Sequence, residues 1–106
     1  MTSNVDQLYK EVILLMKKES WLEGIKLLKR ESPLVEQDWR LSWNLGWCFF
    51  KLNRLDDAKR HLLRATTIAP ENPTCKWALG NVYLRKDSSG KRKLYLQFHS
   101  RSKSLI

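Results

Sequence analysis

Apolar residues recur at three- and four-residue spacings along most of the chain, the interval that lines up one face of an α-helix. The pattern and its punctuation predict helices over 4–18, 21–31, 37–52, 55–68, 73–86 and 91–103. Ser20 followed by Glu23 has the form of a capping box, in which both side chains satisfy orphan N–H groups at a helix start. Asn53 suits the left-handed residue that ends a helix, and Asn72-Pro73 sets a good N-cap before a Pro at the first helical position. Asp87-Ser88-Ser89-Gly90 is a turn cluster. In the last segment Leu94, Leu96 and Phe98 alternate as a strand would, and the helix there is expected from its context alone. The third helix is apolar on two sides. Trp39, Trp43, Trp47 and Phe50 share one side, and Leu41, Leu45, Cys48, Phe49 and Leu52 take the other. Such a helix is either covered all round or lends one side to a partner.

A repeat accounts for the spacing of these helices. Trp43-Asn44-Leu45-Gly46-Trp47-Cys48-Phe49-Phe50-Lys51 aligns with Trp77-Ala78-Leu79-Gly80-Asn81-Val82-Tyr83-Leu84-Arg85 at a constant offset of 34 residues. Trp, Leu and Gly are identical, an aromatic follows in both, and both end on a base. Leu45-Gly46 with Phe49, then Ala58, Leu62, Ala65 and Pro70, resembles the signature of the tetratricopeptide repeat, whose period is about 34 residues. Ser42 stands where that family has its leading Trp, with Trp43 one place later. The neighbouring units depart further: Glu31 replaces the counterpart of Ala65, and Arg92 the counterpart of Ala58. End units of a stack cap it and face water, which tolerates such changes. The resemblance implies an all-α superhelix of about three antiparallel helix pairs, approximately 4–31, 37–68 and 73–103, forming one domain over 1–106. It also implies close helix crossings at Gly46, Gly80 and Ala58.

The composition fits a globular chain: 42% hydrophobic and 29% charged over 106 residues. No apolar run is long enough to span a bilayer, and the first ten residues lack the apolar block of a secretory signal. A cytoplasmic setting is the expectation. Cys48 and Cys75 are too few for a disulfide framework and lack metal-ligand spacing, so both are expected as small buried hydrophobes. His61 is expected at the surface, on the face opposite Ala58 and Leu62. With His61 and His99 the only histidines, no glycine-rich phosphate loop and no nucleophile elbow, the sequence offers no catalytic set, metal site or cofactor. A non-enzymatic role is the expectation.

Charge is distributed unevenly. The net charge is +9, and residues 73–106 hold eight Lys/Arg against one acid, Asp87. Lys91, Arg92, Lys93, Arg101 and Lys103, interleaved with Tyr95, Phe98 and His99, are the candidate set for an anion or nucleic acid. The repeat resemblance points elsewhere, because in that family the first helix of each unit lines a concave face. It implies a peptide-binding groove with Trp43, Asn44, Trp47, Phe50 and Lys51 at its centre. Trp77, Asn81, Leu84 and Arg85 join from the following unit, and Tyr9, Ile13 and Lys17 from the preceding one. Trp and Tyr dominate binding hot spots, and Lys51 and Arg85 are placed to meet acidic groups. The expected function is a protein–protein interaction module taking a peptide or partner helix, with self-association through the Trp face a variant of it and a nucleic-acid adaptor the alternative. Asn44 and Asn81 match the carboxylate clamp of chaperone-tail-binding relatives only loosely, so chaperone binding is not expected.

Overall fold

The computed structural model describes residues 4–87; the expected helix over 91–103 and the candidate bases Lys91, Arg92, Lys93, Arg101 and Lys103 lie outside them. Among the described residues the chain is all-α, with no strand. Its helices are α1 (Asn4–Lys17), α2 (Trp21–Arg30), α3 (Ser32–Gln37), α4 (Trp39–Lys51) and α5 (Leu55–Ile68), followed by α6 over 73–87. None is long and apolar enough to cross a membrane.

Local chemistry explains the helix ends. At the close of α4, Asn53 takes φ 63°. Its N–H then donates to Phe50 O at 2.9 Å, and Arg54 N–H donates to Phe49 O at 2.9 Å. This paired closure satisfies the last carbonyls of the helix. α1 ends the same way, with Glu19 at φ 59° and Ser20 N–H reaching Leu15 O at 2.9 Å. The capping box expected from Ser20 and Glu23 is absent: the Ser20 side chain makes no cap hydrogen bond, because Ser20 is committed to closing α1. Asn72 does cap α6, accepting from Thr74 N–H at 2.8 Å and Cys75 N–H at 3.4 Å.

α3 was not expected. Pro33 lies in its first turn, where a missing N–H costs nothing, so a residue that reads as a breaker opens a helix instead. The boundary with α4 is Asp38, whose carboxylate accepts from Arg40 N–H at 2.9 Å and Leu41 N–H at 3.4 Å; α4 therefore starts at Trp39 rather than 37. Ser42 is fully buried and donates to Val35 O at 2.6 Å. α3 packs where a large side chain at that position would go, which accounts for Ser in place of Trp.

α4 is the central element, touching α1, α2, α3 and α5. Its antiparallel pairing with α5 is the most extensive contact among α1–α5. Val12, Leu28, Val35, Leu41, Phe49, Leu62 and Val82 are the large side chains fully withdrawn from water, each contributing about 1.5–3 kcal/mol of transfer free energy. Gly46 and Ala58 meet at the α4–α5 crossing: a Cβ on Gly46 would lie 2.7 Å from Leu62 Cγ and 3.2 Å from Ala58 O. Among the described residues a Cβ on Gly80 meets nothing within 4 Å; the helix expected to cross it, over 91–103, lies outside them. Cys48 and Cys75 are both free and buried. His61 is buried as well, stacked on Phe49 at 5.5 Å. It stands three residues after Ala58 and four before Ala65, which is their own face of α5 and not the opposite one.

Candidate functional site

Four-residue spacing on α4 stacks its aromatic side chains in a column. Trp43 and Trp47 lie nearly parallel, 10° apart with centroids 5.3 Å apart. Trp47 also stacks on Phe50 at 4.7 Å and on Trp77 of α6 at 5.1 Å. Trp47 is thus the hub of a four-ring array that joins two helices, at separations where offset-stacked rings attract. The indole N–H of Trp43 donates to Thr74 O at 3.2 Å, fixing the start of α6 against α4. At the other end of the column, the Arg85 guanidinium lies 3.9 Å above the Phe50 ring. It also donates to Phe50 O at 3.2 Å, a cation at the negative end of the α4 dipole.

The outer surface of this array is open. Trp77 is 58% exposed and Leu84, two turns further along α6, is 66% exposed. Trp43 and Trp47 are half-buried, whereas Phe50 is closed off beneath Trp47 and Arg85. Phe50 is therefore a support of the surface rather than part of it.

Beside the column lies a cavity of about 260 Å³ whose lining includes Tyr9, Ile13, Trp39, Arg40, Trp43 and Asn44. Arg40 lies 4.8 Å over the Tyr9 ring and is held by Asp38 at 3.3 Å and Asp6 at 3.2 Å. These two carboxylates, Asp38 foremost, raise its already high pKa further. Asn44 is only 1% exposed, and its side-chain N–H₂ has no hydrogen-bond partner among the described residues. A buried amide donor left unmade is costly, so this is a site where an acceptor would be welcome.

The structure brings together Trp43, Trp47, Phe50, Trp77 and Arg85, with Tyr9 and Asn44 at the adjoining cavity. The others are placed differently. Asn81 turns back on its own helix, donating to Trp77 O at 2.9 Å. Lys51 holds its ammonium 5.7 Å over Trp21, and Lys17 is exposed in the last turn of α1. Sequence reasoning does not single out Arg40 or Thr74. Arg40 has a readable signal, standing 34 residues after Asp6 and two after another Asp. Thr74 has none, because it acts through its carbonyl.

Burial pushes the Cys48 thiol up to about 12 and raises that of Cys75, so neither is poised as a thiolate. Among the described residues no group of three or more His, Cys, Asp or Glu side chains is placed to hold a metal ion. No protein-family model matches the chain, and no curated protein matches it.

Proposed function

We propose that this chain is a non-enzymatic protein–protein interaction module, a tetratricopeptide-like stack of three antiparallel helix pairs, that holds an apolar peptide or partner helix bearing acidic residues. The observation that carries this reading is the aromatic array. A stacked column of Trp43, Trp47 and Trp77 is rigid before any partner arrives, so its large apolar area is offered at low entropic cost. The open flank continues along α6 through Leu84. Arg85 retains donors beyond the one used on Phe50 O and supplies the basic edge that would meet acidic side chains. The unmade Asn44 donor at the neighbouring cavity suits a backbone carbonyl of such a ligand. The two free, buried cysteines suit a reducing compartment such as the cytoplasm.

The test is a selection from a displayed peptide library, run on the wild type and on the Trp43→Ala/Trp47→Ala double variant as a second bait. Binders rich in apolar and acidic residues that are recovered by the wild type alone support the groove. The same binders recovered equally by both baits would place recognition elsewhere on the molecule.

A second reading rests on the charge of residues 73–106, eight bases against one acid. It is a nucleic-acid adaptor using Lys91, Arg92, Lys93, Arg101 and Lys103. In the described part of that segment two of the three bases are already engaged: Arg85 lies on Phe50, and Lys86 pairs with Asp56 at 2.6 Å, while Lys76 is exposed. Affinity for RNA or DNA that falls steeply with salt and is lost on neutralising Lys91, Arg92 and Lys93 would favour it.

A further inference from the structure

On the side of α4 turned away from the tryptophans, α2, α3 and α5 enclose a second cavity, of about 380 Å³. Leu45, two residues before Trp47 and so about 200° round the helix from it, forms part of its floor. The cavity is thus separate from the aromatic groove. Its wall includes His61, which is 8% exposed and lies nearly parallel to the buried Phe49 ring, 10° from it. Neither ring nitrogen of His61 has a hydrogen-bond partner among the described residues. A neutral imidazole carries one donor and one acceptor, and both are left unmade inside a protein whose other buried polar groups are largely satisfied.

The charges around this ring are mostly positive. Lys29 approaches from α2, with its ammonium 5.5 Å over Phe49, and Arg54 lies 5.1 Å over the same ring. Arg60 and Arg64, one turn apart on α5, line the cavity itself. Two acids face them. Asp57 is shared between Arg54 at 3.0 Å and Arg60 at 3.2 Å, and Glu36 of α3 accepts from the Ser32 hydroxyl at 3.1 Å. Four bases against two acids leave an excess of two positive charges at a half-apolar cavity with an unmade polar group in its wall. Burial, then Arg60 and Arg64, push His61 down to about 4, with Asp57 opposing and Lys29 adding to the shift. At neutral pH the imidazole is therefore uncharged, held so by burial and by the cations around it, and those cations give the cavity a positive field that suits an anion.

We infer that this cavity binds a phosphate dianion, free or as a phosphomonoester, held by Lys29, Arg60 and Arg64 together with the His61 ring. The geometry favours phosphate over carboxylate. Its tetrahedral oxygens can be reached from α2 and α5 at once, whereas the two coplanar oxygens of a carboxylate are consumed by one guanidinium fork. The free dianion also carries one O–H that the bare ring nitrogen can accept, while its other oxygens, like all those of a phosphomonoester dianion, can accept from the ring N–H. Bound negative charge offsets the repulsion from Arg60 and Arg64 that adds to burial in keeping His61 neutral, so anion binding and protonation of the ring reinforce each other.

The experiment is a titration of the full chain with inorganic phosphate and, separately, with glycerol phosphate. Sodium chloride at matched ionic strength is the reference. The readout is the His61 ring NMR signal, assigned with His61→Gln. Phosphate is expected to move that signal saturably and to raise the pH at which the ring titrates; chloride is expected to do neither. Arg60→Gln and Arg64→Gln are each expected to weaken the phosphate affinity by at least about tenfold, while Lys26→Gln, an exposed base of α2 outside the cavity, leaves it unchanged. Tighter binding of glycerol phosphate assigns the site to a phosphorylated organic ligand, and binding of inorganic phosphate alone assigns it to the free ion. An equal shift with chloride, or an equal loss with Lys26→Gln and Arg64→Gln, would mean diffuse charge and would overturn the assignment. The wild-type titration decides the matter even if a variant fails to fold.

Discussion

Replacing each of three helical glycines with Ala tests the packing of the fold, because the chemistry is identical and only the surroundings differ. In open space the change stabilises a helix by up to about 1 kcal/mol, since Ala has the higher propensity. Among the described residues Gly80 is that case: an added Cβ meets nothing within 4 Å. Gly80→Ala is therefore expected to gain about 0.5–1 kcal/mol. At Gly46 the Cβ would stand 2.7 Å from Leu62 Cγ, 3.0 Å from Leu62 Cδ2 and 3.2 Å from Ala58 O. Leu62 is fully buried and has nowhere to swing, and the Ala58 carbonyl belongs to the α5 backbone. Overpacking of this kind costs about 1–3 kcal/mol, so after the propensity gain Gly46→Ala is expected to lose about 1–2 kcal/mol. Gly24 lies between the two, with the single Sγ of Cys48 at 3.3 Å; the opposing effects leave it within about 0.5 kcal/mol of wild type. Urea unfolding followed by far-UV circular dichroism measures all three, and each kcal/mol also moves Tm by about 4–8 °C in a domain of this size. The expected order is Gly80→Ala, then wild type and Gly24→Ala together, then Gly46→Ala. A Gly46→Ala protein as stable as Gly80→Ala would refute the α4–α5 crossing described above.

Two further outcomes follow from polar groups, one buried and one partly buried. His61 titrates near 4 in the folded chain against an ordinary 6.5, so the unfolded chain binds the extra proton between those values; stability is full above pH 6.5 and declines as pH falls through the window, by about 3 kcal/mol in all. Urea midpoints at neutral and acid pH in phosphate-free buffer are expected to show this loss in wild type and a shallower one in His61→Phe; equal slopes would mean His61 is solvated. Asp38→Ala removes the acceptor for Arg40 and Leu41 N–H and is expected to cost about 1–2 kcal/mol by the same assay, whereas Asp38→Asn, still a good cap, is expected to stay close to wild type.

The all-α architecture and five of the helices were legible because they carry strong local signals. Asn53 tolerates the left-handed conformation, Asn72 caps, and the spacing of apolar residues in α4 and α5 separates a core face from an aromatic one. Gly46 was readable too, since a helix that must approach another closely has little else to use. The rest was obscured where one residue has two possible uses. Ser20 has the form of an N-cap but closes the preceding helix, because Glu19, a residue seldom chosen for positive φ, takes the left-handed position. Pro33 reads as a stop and is in fact a start, and six residues of α3 are too few to show a period. His61 is expected on the face opposite Ala58 and Leu62, although its spacing from Ala58 and Ala65 puts it on the buried face. Gly80 repeats the register of Gly46 without its neighbour, since no partner helix is packed against that face among the described residues. The Trp column was visible in the sequence, but the roles within it were not. That Phe50 and Asn44 are enclosed while Trp77 is open depends on where α6 lies, and spacing along α4 carries no information about that.

The central claim is that Trp77 and the array beneath it are a binding surface, and the most direct test is calorimetry of a selected peptide with wild type and Trp77→Ala at low and moderate salt. Trp77 is the most exposed of the stacked rings, at 58%, so its removal leaves the helical signal close to wild type. Affinity is expected to fall by about 2 kcal/mol or more, roughly 30-fold, at both salt concentrations. An unchanged affinity in Trp77→Ala, with wild-type binding that vanishes as salt rises, would contradict the groove and transfer recognition to the basic C-terminal third.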